Sequence, residues 1–175
     1  LKGVLLGMDF NNQDPRQEGV QIMRIDTNSI AQWDPTSVTL MYYYPIVESY
    51  YRRTFNRNSI DNQGLNIEFV INFTWPAGDQ IGQTHNENAC WNPSMNMMFF
   101  GDGDKTAGGK LAYDIDVVAH EYTHGVTGFE AGLIYETQSG ALNEALSDFF
   151  GCMIDREDWL LAEETTPLGQ GNAGK

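Results

Sequence analysis

Apolar positions follow two rhythms along this chain. In the first eighty residues they gather in short runs rich in Val, Ile, Tyr, Phe and Thr. These are residues 19–27 (GVQIMRIDT), 37–47 (SVTLMYYYPIV) and 65–75 (LNIEFVINFTW). Asp-Pro and Asn-Gln-Gly turns separate them, so the pattern predicts strands, with the tyrosines at 42–44 as sheet core. Residues 49–58 (SYYRRTFNRN) read as a helix with Tyr50, Tyr51 and Phe55 turned inward. From residue 86 to 114 the pattern is irregular, and Met95, Met97 and Met98 read as core filler. Beyond it the period changes. Leu142, Ala145, Leu146, Phe149, Phe150 and Met153 recur at helical spacing and predict an amphipathic helix.

The candidate chemistry lies in this second half. His120 and His124 stand four residues apart in DIDVVAHEYTHGVT (114–127), so on a helix they share a face. Two imidazoles so placed supply two of the three protein ligands that a catalytic zinc keeps. Glu121 stands beside them as a candidate general base. The bland alternative is a pair of surface histidines. In GALNEALSDFFG (140–151), Glu144 and Asp148 share a face. Alone they would read as a solvated surface. Next to a zinc motif lacking one ligand, Glu144 becomes the third ligand. Asp148 becomes an acceptor for a ligand histidine's other N–H.

The stretch from residue 117 to 151, VVAHEYTHGVTGFEAGLIYETQSGALNEALSDFFG, resembles the active-site core of the thermolysin family of secreted zinc endopeptidases. The likeness extends back through NACWN (88–92) and GDGD (101–104), and forward to Asp158, Trp159 and Glu163. The resemblance implies an α+β fold. A β-rich N-terminal domain, residues 1–135, ends in the zinc-site helix, and residues 136–175 begin a helical C-terminal domain. It implies zinc on His120, His124 and Glu144, Glu121 as general base, and Asn143 and Asp148 orienting the histidines. Tyr135 would hydrogen-bond the oxyanion. Asn88 and Ala89, with Trp91, would belong to an edge strand that pairs with an extended peptide. Val117 would line the pocket for a bulky apolar residue after the scissile bond. Asp116, Asp155, Asp158 and Glu163 would bind one or two structural calcium ions; the bland alternative is a solvated acidic surface.

The resemblance also implies a further helical part, with a histidine and an arginine aimed at the substrate. The expectation is therefore an N-terminal fragment whose partner is the C-terminal fragment of the same enzyme. The alternative is a catalytically incomplete zinc- and calcium-binding domain that holds extended peptides, and a third reading is an acidic structural domain. His85, the remaining histidine, reads as a surface residue in a polar loop.

Composition narrows the partners. With 24 acidic and 10 basic residues among 175, the formal charge is −14, which argues against nucleic acid. No apolar run reaches membrane-spanning length, and no signal-peptide layout opens the chain. A secreted, extracellular protein that has shed its leader fits these features. Cys90 and Cys152 read either as one disulfide, formed in an oxidising compartment, or as two free thiols, and free thiols are the expectation.

Overall fold

The computed structural model describes residues 5–13, 23–24, 34–73, 88–101, 103 and 110–163. Among them the chain forms β1 (Leu5–Gln13), β2 (Met23–Arg24), α1 (Pro35–Phe55), β3 (Ile67–Phe73), β4 (Ala89–Asn92) and β5 (Met97–Gly101). A 3-10 turn at Leu111–Tyr113 then leads into α2 (Ile115–Ala131) and α3 (Thr137–Asp155). The strands make one sheet in the order β2-β1-β3-β5-β4. β1, β3 and β5 run parallel, while β2 and β4 pair antiparallel with their neighbours. The α+β class expected from the sequence holds, with the two site helices last.

One predicted strand is a helix. Residues 37–47 lie inside α1, a single helix that also takes in most of 49–58. The run is rich in β-formers, but its buried positions, Thr36, Leu40, Tyr43, Tyr44, Val47 and Tyr51, recur every three or four residues. The Asp-Pro pair read as a turn starts this helix: Pro35 opens it, and the Asp34 side chain accepts from Thr36 N–H at 2.7 Å. Asn56 ends it in the left-handed conformation at φ 55°. Tyr43 and Tyr44 are core residues of a helix rather than a sheet, Tyr42 faces outward, and Phe55 is 52% exposed rather than turned inward.

The third predicted strand is β3, at the centre of the sheet. Ile67, Phe69 and Ile71 face the helices, with Leu40, Tyr44, Val118 and Tyr122. Val70 faces away, and so does Phe73, with Phe99 against its ring. Strict alternation would put Phe73 with Ile71. The register shift at Asn72, whose φ is 53°, turns it over. Met98 is fully buried and Met97 half-buried, as filler should be, but Met95 is exposed. Of residues 19–27 only β2 lies within the described residues, and His85 lies outside them.

α3 forms where the helical period put it, yet it buries a different face. Leu142 is 50% and Phe149 47% exposed, while Gly140, Asn143, Ser147, Gly151 and Ile154 are buried. These mostly small residues let α3 approach α2 closely. A Cβ on Gly151 would come within 2.9 Å of the Asp116 carbonyl oxygen. That approach places the α3 side chains against the α2 histidines. Cys90 and Cys152 are free thiols.

Candidate active site

α2 is capped at both ends. The Asp114 side chain accepts from Asp116 N–H, and Gly132 closes the helix at φ 55°. The one-turn spacing puts His120 and His124 side by side, with their Nε2 atoms 2.9 Å apart. Glu144, from α3, faces both: its carboxylate oxygens lie 3.2 Å from His120 Nε2 and 3.5 Å from His124 Nε2. Behind the rings, His124 Nδ1 lies 2.8 Å from Asn143 Oδ1, and His120 Nδ1 lies 2.9 Å from Asp148 Oδ1. With each Nδ1–H donating backward, each Nε2 presents a lone pair forward.

Two nitrogen lone pairs and a carboxylate therefore converge on one point. Burial and the neighbouring His124 hold His120 below its ordinary pKa, against the opposing pull of Glu144 and Asp148. A neutral imidazole there cannot relieve the crowding of acceptors by sharing a proton. A cation can. Donors about 2.1 Å from a tetrahedral ion stand about 3.4 Å from one another, close to the edges of this triangle. His120, His124 and Glu144 thus form a group able to hold a metal ion.

Glu121 points from the same turn of α2 toward β4. It is 5% exposed, and burial pushes its carboxyl up to about 8, with Glu144 adding to the shift and a Trp91 backbone N–H opposing it. Its Oε2 has no hydrogen-bond partner among the described residues. The Tyr135 hydroxyl donates to the Glu144 carboxylate, and its ring stands edge-on to His124.

Two hollows meet at His120 and Glu121. The larger, about 580 Å³, is lined by Asn88, Ala89, Cys90, Trp91 and Pro93 on the β4 side. His120, Glu121, His124, Gly128, Leu133, Tyr135, Asn143 and Glu144 complete it. The smaller, about 220 Å³, is bounded by Leu111, Val117 and Leu161 with Ala162 and Asp148, and shares Asn88, Ala89, His120 and Glu121 with the larger. β4 is the edge strand, paired only with β5 among the described residues.

The expected residues therefore assemble in two places. His120, Glu121, His124, Asn143, Glu144, Asp148, Tyr135, Asn88, Ala89, Trp91 and Val117 all border the two hollows or touch residues that do. The acidic residues divide differently. Asp116 and Glu163 come together with Asp114, all ligand oxygens within 4.8 Å, whereas Asp155 and Asp158 are not part of that group. Asp155 accepts from Glu157 N–H at 3.2 Å and Asp158 from Leu160 N–H at 2.7 Å, each within its own turn. Asp114 was missed, and its place as an Asp just before the helix could have revealed it. Ser147 was also missed. It is fully buried, its Oγ lies 3.2 Å from His124 Nδ1, and its position one turn beyond Asn143 could have revealed it.

The fold and the site place this chain among the metallopeptidases. It matches the thermolysin metallopeptidase catalytic domain over residues 5–128 and the thermolysin metallopeptidase alpha-helical domain over residues 131–173. The chain belongs to the thermolysin metallopeptidase family. It is 45% identical over 125 residues to a bacillolysin of Brevibacillus brevis, covering 71% of this chain and 22% of that protein. It is 42% identical over 149 residues to an extracellular elastase of Staphylococcus epidermidis, covering 83% of this chain and 28% of the other. A solved structure, the precursor of protealysin, a metalloproteinase from Serratia proteamaculans, superposes with a TM-score of 0.71. That match has 33% identity and covers 89% of this chain and 44% of the other. The chain thus spans about a quarter of the length of these two curated relatives.

Proposed function

We propose that these residues form the metal-binding wall of a secreted zinc endopeptidase. The observation that carries the reading is the convergence of His120 Nε2, His124 Nε2 and the Glu144 carboxylate beside the buried Glu121. A zinc ion on the three donors would acidify a water and polarise a peptide carbonyl. Glu121, buried beside the three donors, would take the proton from the attacking water and deliver it to the leaving amine. Asn143 and Asp148 hold the imidazoles in the tautomer that the metal needs. Tyr135 leaves Glu144 to donate to the oxyanion as it forms.

The substrate backbone pairs with the free edge of β4 near Asn88 and Ala89, and Trp91 flanks it. A bulky apolar side chain after the scissile bond enters the hollow between Leu111, Val117 and Leu161. Asp114, Asp116 and Glu163 would hold a structural calcium ion, and Asp155 and Asp158 add to the negative field at Glu163. Residues 1–135 act as the β-rich domain and residues 136–175 as the beginning of the helical one. The cleft takes proteins or peptides, and the protealysin relative, a precursor, is in keeping with a propeptide as a further partner. Secretion is in keeping with the name of the extracellular elastase relative. No helix among the described residues is long and apolar enough to cross a membrane.

The test is hydrolysis by the whole protein of a blocked dipeptide amide, with leucine or phenylalanine after the scissile bond. Cleavage that a zinc chelator abolishes and added zinc restores is expected. Stoichiometric zinc without cleavage would leave a peptide-binding domain instead, and no stoichiometric zinc would end the reading.

A further inference from the structure

α2 carries glycines at 125 and 128 and is closed by Gly132, and their surroundings differ. Gly132 supplies the left-handed cap. Gly128 faces open space, with nothing within 4 Å of where a Cβ would stand. At Gly125 the space is taken. A Cβ there would lie 2.7 Å from Ile60 Cγ2 and 3.3 Å from two indole carbons of Trp91. Glycine inside a helix is less favourable than alanine, so a position with no room for a methyl group points to a neighbour that needs the space.

That neighbour bears on the cleft. Gly125 lies one turn beyond Glu121, on the same face of α2. Trp91 meets both residues: its indole covers Gly125, and its backbone N–H is hydrogen-bonded to Glu121. Trp91 also belongs to β4, whose Ala89, with the adjoining Asn88, borders both hollows. How deeply the indole sinks onto α2 therefore sets the height of the β4 edge above the His120–Glu121 turn. Ile60, fully buried, takes up the rest of the space over Gly125.

We propose that Gly125 is a positioning residue for the cleft, the seat on which Trp91 fixes the β4 edge and its hydrogen bond to Glu121. The nature of the ligand rests on the peptidase reading; the seat itself does not. Gly125 touches no substrate. A methyl group there must push Trp91 or Ile60 aside by several tenths of an ångström, and β4 moves with Trp91.

The experiment compares Gly125→Ala with the unsubstituted protein. Affinity for a blocked hexapeptide with a central leucine is measured in a Glu121→Gln background, and kcat/KM in the active background. We expect zinc content to stay stoichiometric, while affinity and kcat/KM each fall about tenfold. Ile60→Leu added to Gly125→Ala removes the Cγ2 branch and should restore most of both. Unchanged affinity and kcat/KM in Gly125→Ala would overturn the proposal. If Gly125→Ala fails to fold or loses zinc, the double variant decides: recovery of peptide affinity upholds the seat, and no recovery overturns it. Should the unsubstituted protein bind the hexapeptide and never cleave it, the peptidase reading falls and the seat is judged on affinity alone. Should it bind no peptide, both fall.

Discussion

The start and the middle of α2 solve the same problem in different ways. Near its start Asp114 and Asp116 meet Glu163; in its middle His120 and His124 meet Glu144. In each place the helix supplies two groups and a later segment a third. The histidine group is relieved from behind, since Asn143 and Asp148 accept from the Nδ1–H groups and leave both Nε2 lone pairs facing one carboxylate. The carboxylate group draws on backbone donors instead, Asp116 N–H to Asp114 and Ala162 N–H to Asp116. Asp116 is 1% exposed, and burial together with Asp114 and Glu163 pushes it up to about 8, against one hydrogen bond from Ala162 N–H. The first arrangement is preformed for a cation by oriented dipoles. The second keeps a proton until a cation replaces it.

The largest effect that would break this contrast is on the metal itself. His120→Ala with His124→Ala should reduce zinc to trace levels by elemental analysis and abolish hydrolysis; zinc retained in full would remove the preformed site altogether. Next comes Glu121→Gln, which keeps every proposed metal donor. Zinc should stay stoichiometric while turnover falls roughly a hundredfold to ten-thousandfold, the usual range for a lost general base. Near-normal turnover would assign the base elsewhere. Asn143→Ala tests the support behind the ring. Zinc affinity measured by competition with a chelator should weaken roughly tenfold to a hundredfold. Asp114→Ala, at the start of the helix, should leave that affinity unchanged.

The same contrast explains what the sequence could and could not reveal. The donor set was legible because helical spacing turns residue numbers into directions: His120 and His124 must share a face, and so must Glu144 and Asp148. Asn143 and Tyr135 came from the resemblance alone. The acidic group was only half legible, because it joins a helix cap to a loop after α3, and no local period relates Asp114 to Glu163. In the fold, α1 was misread because β-branched and aromatic residues advertise strand by composition. Asp34-Pro35 and the spacing of Leu40, Tyr44, Val47 and Tyr51 pointed to helix, and tertiary burial of that stripe outweighs weak intrinsic preference. The buried face of α3 was hidden for the opposite reason. Gly140, Ser147 and Gly151 carry little apolar surface, and their value lies in how closely they let α2 approach.

The smallest expected effect is the one that separates a cation site from a pair of carboxyls sharing a proton. A carboxyl raised to about 8 in the folded chain and near 4 in the unfolded one binds a proton on folding throughout the interval between. Stability from this group is therefore fully present at the acid end of that interval. It is lost as pH rises through 8. Glu121, raised to about 8 as well, adds a contribution of the same sign. Without divalent cations, the melting temperature at pH 9 should lie on the order of 5 °C below that at pH 6. Asp116→Asn, whose amide oxygen can still accept from Ala162 N–H, should remove part of that difference and leave the part due to Glu121. Calcium should act on the same part from the other side, raising the melting temperature at pH 9 more than at pH 6, because it holds the carboxylates ionised and stabilises only the folded state. Asp116→Asn should blunt that response. A calcium effect equal at both pH values, or equal in the variant, would mean that the ion binds elsewhere and that Asp114, Asp116 and Glu163 are a structural proton-sharing group.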